Sequence, residues 1–214
     1  MSYDIYDRDY FENGPQAGVS CYSNYRWLPE KTLMVVMAYI DYLNIPRGAS
    51  VLDFGCAKGY YVKAFRMLAR EAWGCDVSKY ALGESDNDTG PFLEECGPEE
   101  NVIPFDRTFN YIISKDVLEH LEIDQVVNFL ESAKTCKPRK LFIIVPLASK
   151  GKYVIPEDEL DITHKIRLDK QGWIELLTST GWLLDNFTYR IEGIKDHQSV
   201  YRQGVGFFTL TLGV

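Results

Sequence analysis

The sequence is short of the residues that staple a chain or carry it across a membrane. Of 214 residues five are cysteine (Cys21, Cys56, Cys75, Cys96 and Cys136), an odd number without a C-x-x-C pair. That pattern excludes a disulfide framework and a zinc knuckle and fits reduced thiols. Long apolar runs are missing: the longest, residues 33–40 and 141–148, have eight residues each, against the ~20 needed to cross a bilayer. The opening Met-Ser-Tyr-Asp-Ile-Tyr lacks the basic start and apolar core of a secretory signal, so a cytoplasmic protein without a membrane partner is expected. Positive charge is also scarce: 23 Lys and Arg stand against 31 Asp and Glu, a net charge of −8. This disfavours long nucleic acids and anionic membranes as partners, while leaving room for gripping one chain end. Only three histidines, His120, His164 and His197, are available for acid–base or metal chemistry.

What is present is globular in composition, 46% hydrophobic and 25% charged, and the length fits one domain with extras. Residues 1–29, rich in Tyr, Gly and Asp, read as an arm or cap, and residues 30–214 as the domain. Pro29-Glu30 opens a helix whose Leu33, Val36, Met37, Ile40 and Leu43 share one face, and Pro46 and Gly48 end it. Alternation then follows. Strands are predicted at 50–54, 72–75, 109–113 and 141–145, with helices after the glycine turn at 55–59, at 123–136 and at 170–180. Residues 84–100 hold seven acids and no base and read as a loop with at most a short strand. Two closing strands are predicted at 182–191 and 205–212. Strand–crossover–strand repetition predicts an α/β fold, a mostly parallel sheet with helices on both faces. Ligands in such folds lie beyond the carboxyl ends of the strands.

The sharpest motif is Val51-Leu52-Asp53-Phe54-Gly55-Cys56-Ala57-Lys58-Gly59. Gly55 lets the strand turn, small Ala57 lets a ligand approach the backbone, and Gly59 lets a helix begin with free N–H groups facing the site. Asp76, about twenty residues on and after the second strand, is placed to bind ribose hydroxyls. A structural turn alone would use the same glycines.

These residues resemble the first motif of the class I S-adenosylmethionine-dependent methyltransferases, with Ala57 in place of a glycine. Gly74-Cys75-Asp76-Val77-Ser78, then Phe109–Ile113 with Val117-Leu118-Glu119-His120, then Gly181-Trp182, are similar to the later landmarks of that family. The resemblance implies a Rossmann-like sheet of seven strands in the order 3-2-1-4-5-7-6, the seventh antiparallel, and S-adenosylmethionine as cofactor. It implies contacts to the cofactor from Asp53, Gly55, Cys56, Ala57 and Gly59, from Asp76 and Val77, and from Ser114 and Lys115 after the fourth strand. Tyr25 and Arg26 join them if the aromatic arm closes over the cofactor, where Arg26 would pair a carboxylate. The arm would otherwise pack on a sheet edge or on the partner of a homodimer.

Methylating an alcohol requires removing its proton, by a base or with a metal. Asp116, Glu119 and His120 fall at i, i+3 and i+4 and would share a face if their segment is helical. With His164 they would make a set for a divalent metal, Mg²⁺ or Mn²⁺. The pattern is similar to that of small-RNA terminal 2′-O-methyltransferases and of ubiquinone-pathway O-methyltransferases. If no metal binds, His164 or His197 is the candidate base, or Glu119 and His120 merely cap a turn. The expected acceptor is a hydroxyl of a sugar, glycan unit or other small polyol. The alternatives are a phenol or catechol, or a module that holds the cofactor without turnover.

Overall fold

The computed structural model describes residues 3–97, 99–100 and 102–213; Met1 and Ser2 of the expected arm, Pro98 of the expected loop, Asn101 just beyond it, and Val214 lie outside the described residues. Two short helices, α1 (Arg8–Glu12) and α2 (Gly14–Ala17), precede α3 (Pro29–Leu43). Pro29 opens α3 at a position that needs no N–H donor, and Asn44, left-handed at φ 54°, closes it. Then come β1 (Ser50–Phe54), α4 (Tyr60–Met67), β2 (Glu71–Asp76), α5 (Lys79–Gly83), β3 (Leu93–Glu95), β4 (Tyr111–Lys115), α6 (Ile123–Thr135) and β5 (Lys140–Pro146). A two-strand hairpin, β6 (Ala148–Ser149) and β7 (Lys152–Tyr153), leads to α7 (Lys170–Thr178), β8 (Trp182–Thr188) and β9 (Val205–Leu212).

Seven strands form one sheet in the order β3-β2-β1-β4-β5-β9-β8. Neighbours from β3 through β5 are parallel, and β9 runs antiparallel to β5 and β8. Counting only the strands of this sheet, the order is the expected 3-2-1-4-5-7-6. Alternate residues of β1 feed opposite cores: Val51 joins α3 and α4 through Val36, Tyr39 and Phe65, whereas Leu52 joins α6 and α7 through Phe129 and Trp173. Burying a side chain of that size contributes roughly 1.5–3 kcal/mol, so the sheet is clamped from both faces. Trp182 is buried and its Nε1–H donates to Leu130 O at 3.0 Å, tying β8 to α6.

The boundaries of β4 and β8 differ from expectation for identifiable reasons. Phe109 N–H donates to Cys136 O, and Asn110 Oδ1 accepts from Ser50 N–H at 3.0 Å. Those groups are spent at the mouth of the ladder, so β4 starts at Tyr111 and runs on to Lys115. Thr188 Oγ1 bonds both the O and the N–H of Arg190, closing β8 into a turn before Ile191. The conditional helix after β4 is a single 3-10 turn, Leu118–His120, entered through Asp116 at φ 54°.

Candidate active site

The glycine turn is built as its spacing implies. Gly55 has φ +82°, and a Cβ there would lie 2.2 Å from Val117 Cγ2, so only glycine fits against β4's exit. Ala57 adopts φ 49° despite its side chain, a strain on the order of 1–2 kcal/mol. Asp76 compensates by holding it: Asp76 Oδ2 accepts from Ala57 N–H at 2.7 Å while Oδ1 accepts from Ser78 N–H at 2.8 Å. Gly59, at φ +76°, starts α4.

Beyond the strand ends this turn borders a cavity of about 170 Å³. Tyr25, Asp53, Gly55, Cys56, Ala57, Asp76, Val77, Lys115 and Asp116 all line it. Asp53 is 4% exposed and its Oδ2 has no partner. Burial, with Asp76 nearby, pushes its carboxyl up to about 7. An unpaired buried carboxylate is a receptor for a cationic group. Ser114 is fully buried with an unpartnered Oγ, outside the cavity lining, and Gly59 contributes through the turn. Arg26 is exposed and lines neither this cavity nor the next; the cation at the cavity is Lys115.

The arm forms the roof, and sequence reasoning could not tell which aromatics would do so. Tyr6, Tyr10, Phe11 and Tyr22 line the cavity with Tyr25. The arm is tied down at both ends of the site: Ser78 Oγ donates to Tyr6 O at 2.5 Å, Lys58 pairs with Glu12 at 2.5 Å, and Tyr10 OH donates to Asp161 Oδ2 at 2.9 Å. Aromatic density marked the segment; no motif named the individual rings.

A second cavity, about 500 Å³, adjoins the first and shares Tyr10, Tyr22, Tyr61, Lys115, Asp116 and His120 with it. Here the structure brings together Glu119, His120 and His164, one ligand atom from each lying within 4.8 Å of the others. Glu119 O accepts from the N–H groups of Lys165 and Ile166, which docks the segment after β7 onto the turn after β4. His164 Nδ1 lies 2.7 Å from Asp158 O, a pure acceptor, so that nitrogen carries the proton and Nε2 keeps its lone pair. Thr163 Oγ1 donates to Asp161 Oδ1 at 2.5 Å and so accepts from His120 Nδ1, 2.7 Å away, again freeing Nε2. Burial, then His164, lowers His120 to about 4, and burial lowers His164 as well; both rings are neutral at pH 7. Glu119 is 1% exposed with an unpartnered Oε2, and burial raises its carboxyl.

Asp116 stands apart from this trio. Its Oδ2 lies 2.5 Å from Lys115 Nζ and its Oδ1 2.6 Å from Lys195 Nζ. Burial opposes its charge, but Lys115 and Lys195 outweigh that and hold the carboxyl well below the usual range. Lys195, which the sequence did not single out, comes from the loop between β8 and β9. His197 sits in the same loop, in the 3-10 turn Asp196–Gln198, and lines the second cavity. It stands exposed, and partial desolvation followed by the Lys195 ammonium lowers its pKa.

The strand order, the glycine turn and the acid after β2 define a class I S-adenosylmethionine-dependent methyltransferase, an enzyme. Residues 30–193 match the family model described as a methyltransferase domain, and the chain belongs to that family. No curated protein matches it. Among solved structures it is similar to a putative methyltransferase in complex with the Trm112 activator of Haloferax volcanii (13% identity, TM-score 0.66, 86% of this chain and 91% of that one). It is also similar to a TehB-like S-adenosylmethionine-dependent methyltransferase of Corynebacterium glutamicum (15%, 0.62, 94% and 93%). A third is the glycopeptide N-methyltransferase MtfA complexed with sinefungin (11%, 0.63, 91% and 96%). At these identities the likeness is one of fold. No helix among the described residues is long and apolar enough to cross a membrane.

Proposed function

We propose that the chain is an O-methyltransferase whose acceptor is a hydroxyl of a sugar or other small polyol, activated at Glu119, His120 and His164 by a divalent ion. The observation that carries this reading is the pair of imidazoles. Each has Nδ1 tied to a fixed acceptor and Nε2 free, next to a buried carboxylate with an unpartnered oxygen. Tethering one ring nitrogen so that the other is a lone-pair donor is how metal-binding histidines are oriented. An ion held there would supply Lewis-acid stabilisation of an alkoxide. Two imidazole donors suit Mn²⁺ better than Mg²⁺, which prefers oxygen alone.

Bound S-adenosylmethionine supplies an electrophilic methyl on a sulfonium. The chain's own part is to bind and align. Asp53 offers its free oxygen to a cationic group, Asp76 has oxygens fixed at the turn for ribose hydroxyls, and the arm's rings cover the flat remainder. The shared walls of the two cavities let an acceptor in the second approach a cofactor in the first. A phenol or catechol acceptor is the second reading, favoured by Tyr10, Tyr22 and Tyr61 lining the second cavity.

Thermal unfolding of metal-stripped protein tests the scheme. S-adenosylmethionine at a hundred times its Kd adds about 2.7 kcal/mol, which raises Tm by roughly 5–11 °C for a chain of this size. A further rise with Mn²⁺, lost in His164→Ala, is expected. A cofactor shift with no Mn²⁺ effect would refute the metal and leave His197 or His164 as the base.

A further inference from the structure

We propose that Asp161 is the positioning residue of the His120 imidazole, and that through Tyr10 it makes ligand binding under the arm and metal binding at the trio support each other. The inference rests on the metal and cofactor reading above and adds how the two sites are linked. The two imidazoles are oriented in different ways. The His164 ring meets the Asp158 carbonyl, which only accepts. The His120 ring meets the Thr163 hydroxyl at 2.7 Å, and a hydroxyl serves either tautomer of an imidazole. A third group has to select one.

Asp161 makes that selection. Its Oδ1 accepts from Thr163 Oγ1–H at 2.5 Å and from Thr163 N–H at 2.9 Å. A carboxylate has no proton to return, so the single hydroxyl hydrogen is used and a lone pair is left facing His120. Nδ1 therefore carries the ring proton, and Nε2 is the nitrogen free to meet an ion. Asp161 is 6% and Thr163 7% exposed, so bulk water does not compete for these bonds. Without Asp161 the hydroxyl is free to turn its hydrogen to Nδ1, and the ring proton then moves to Nε2 and blocks it.

The other oxygen of Asp161 belongs to the arm: Tyr10 OH donates to Oδ2 at 2.9 Å. The segment around Asp161 meets the arm at two further points. Ile162 N–H donates to Val19 O at 3.3 Å, and Cys21 Sγ–H donates to Glu157 O at 3.2 Å. Tyr6 of the same arm stands edge-on to His120, with ring centroids 6.0 Å apart. An arm lifted from the first cavity removes the Tyr10 donor and leaves Asp161 free to turn away from Thr163. A ligand that holds the arm down thus favours the metal-binding tautomer. An ion on Nε2 favours the closed arm by the same factor, because coupling between two sites is reciprocal.

The test has two parts. In metal-free protein at pH 7, long-range ¹H–¹⁵N correlation spectra read the tautomer of each of the three histidines. Wild-type protein and Thr163→Ser are expected to carry the His120 proton on Nδ1. Asp161→Ala should shift His120 toward the Nε2–H form and leave His164 unchanged, and Thr163→Val, which keeps the shape without the hydroxyl, should show both forms. In the second part S-adenosylhomocysteine is titrated with and without Mn²⁺, and Mn²⁺ with and without S-adenosylhomocysteine. Each is expected to tighten the other about fivefold or more, and Tyr10→Phe to bring the factor below about twofold in both directions. A wild-type ring protonated on Nε2, or an unchanged His120 in both Asp161→Ala and Thr163→Val, overturns the positioning role. A factor retained in Tyr10→Phe overturns the link through the arm. Wild-type protein that binds no Mn²⁺ would refute the metal reading and the coupling with it, while the metal-free spectra still decide what Asp161 does.

Discussion

Asp53, buried, and Asp116, half-buried, show how differently two carboxylates at adjacent strand ends behave. Asp53 faces a cavity with an unpartnered oxygen and holds a proton up to about pH 7, because burial and Asp76 disfavour its charge. Its raised value means that its contribution to the stability of the ligand-free protein is greatest below its unfolded pKa and is lost as pH rises through 7. A cationic ligand reverses the preference. Affinity for S-adenosylmethionine is therefore expected to fall up to about tenfold per pH unit below 7, with the slope abolished in Asp53→Asn. Calorimetric titration between pH 5.5 and 8 measures it, and a flat wild-type profile would remove Asp53 from the binding scheme. At this scale the sequence was readable where chemistry is local. The turn's positive-φ glycine and the acid that braces it follow from spacing along the chain, whereas His164, 44 positions beyond His120, entered only through the family resemblance. The Asp158 carbonyl that fixes the His164 ring was not readable, since nothing in Pro-Glu-Asp-Glu-Leu marks it out.

At the level of elements, the loop between β8 and β9 is fastened to the end of β4 by one ion cluster. Lys195, 7% exposed, crosses from that loop to Asp116. Removing one partner of such a buried pair leaves the others uncompensated, so Asp116→Asn should cost about 3 kcal/mol. Because Asp116 is held below the usual carboxylate range, that stabilisation is present above the ordinary carboxylate pKa and disappears as pH falls through its depressed value. Urea unfolding of both proteins at pH 7 tests the cost; a difference under about 1 kcal/mol would show the cluster to be energetically idle. The same cluster explains why helical spacing misread residues 116–120. Asp116 needs φ 54° to reach both lysines, which breaks the helix and removes it from the face that Glu119 and His120 share. β5, buried on both sides, was legible because a continuous apolar run admits few alternatives, and β1 because the glycine turn marks its end. The 3-10 turn after β4 is set by a lysine some eighty positions away, which no local pattern encodes.

For the molecule as a whole, the roof over the first cavity and the wall of the second are joined by one hydrogen-bonded chain. It runs from Tyr10 through Asp161 and Thr163 to His120. Tyr10→Phe leaves a buried oxygen of Asp161 unsatisfied, an expected loss of about 2 kcal/mol, and frees the arm. Tryptic cleavage at exposed Arg8 and Arg26 should then accelerate, and S-adenosylhomocysteine should slow it in the wild-type protein. An unchanged digestion pattern would mean that aromatic packing and the ties to Ser78 and Lys58 hold the arm without Asp161.

The arm's anchor also bears on how the protein is made. Tyr10 and Asp161 are 151 positions apart. At 5–20 residues per second, the arm waits on the order of ten seconds after leaving the ribosome before its dock exists. The rings themselves wait less, because Ala57, Tyr60, Tyr80 and Ala81, against which they pack, follow within the first 81 residues. The arm is thus assembled in two stages as the chain emerges, its rings packing on the first half and its one hydrogen-bonded link to the histidine network closing only with the second.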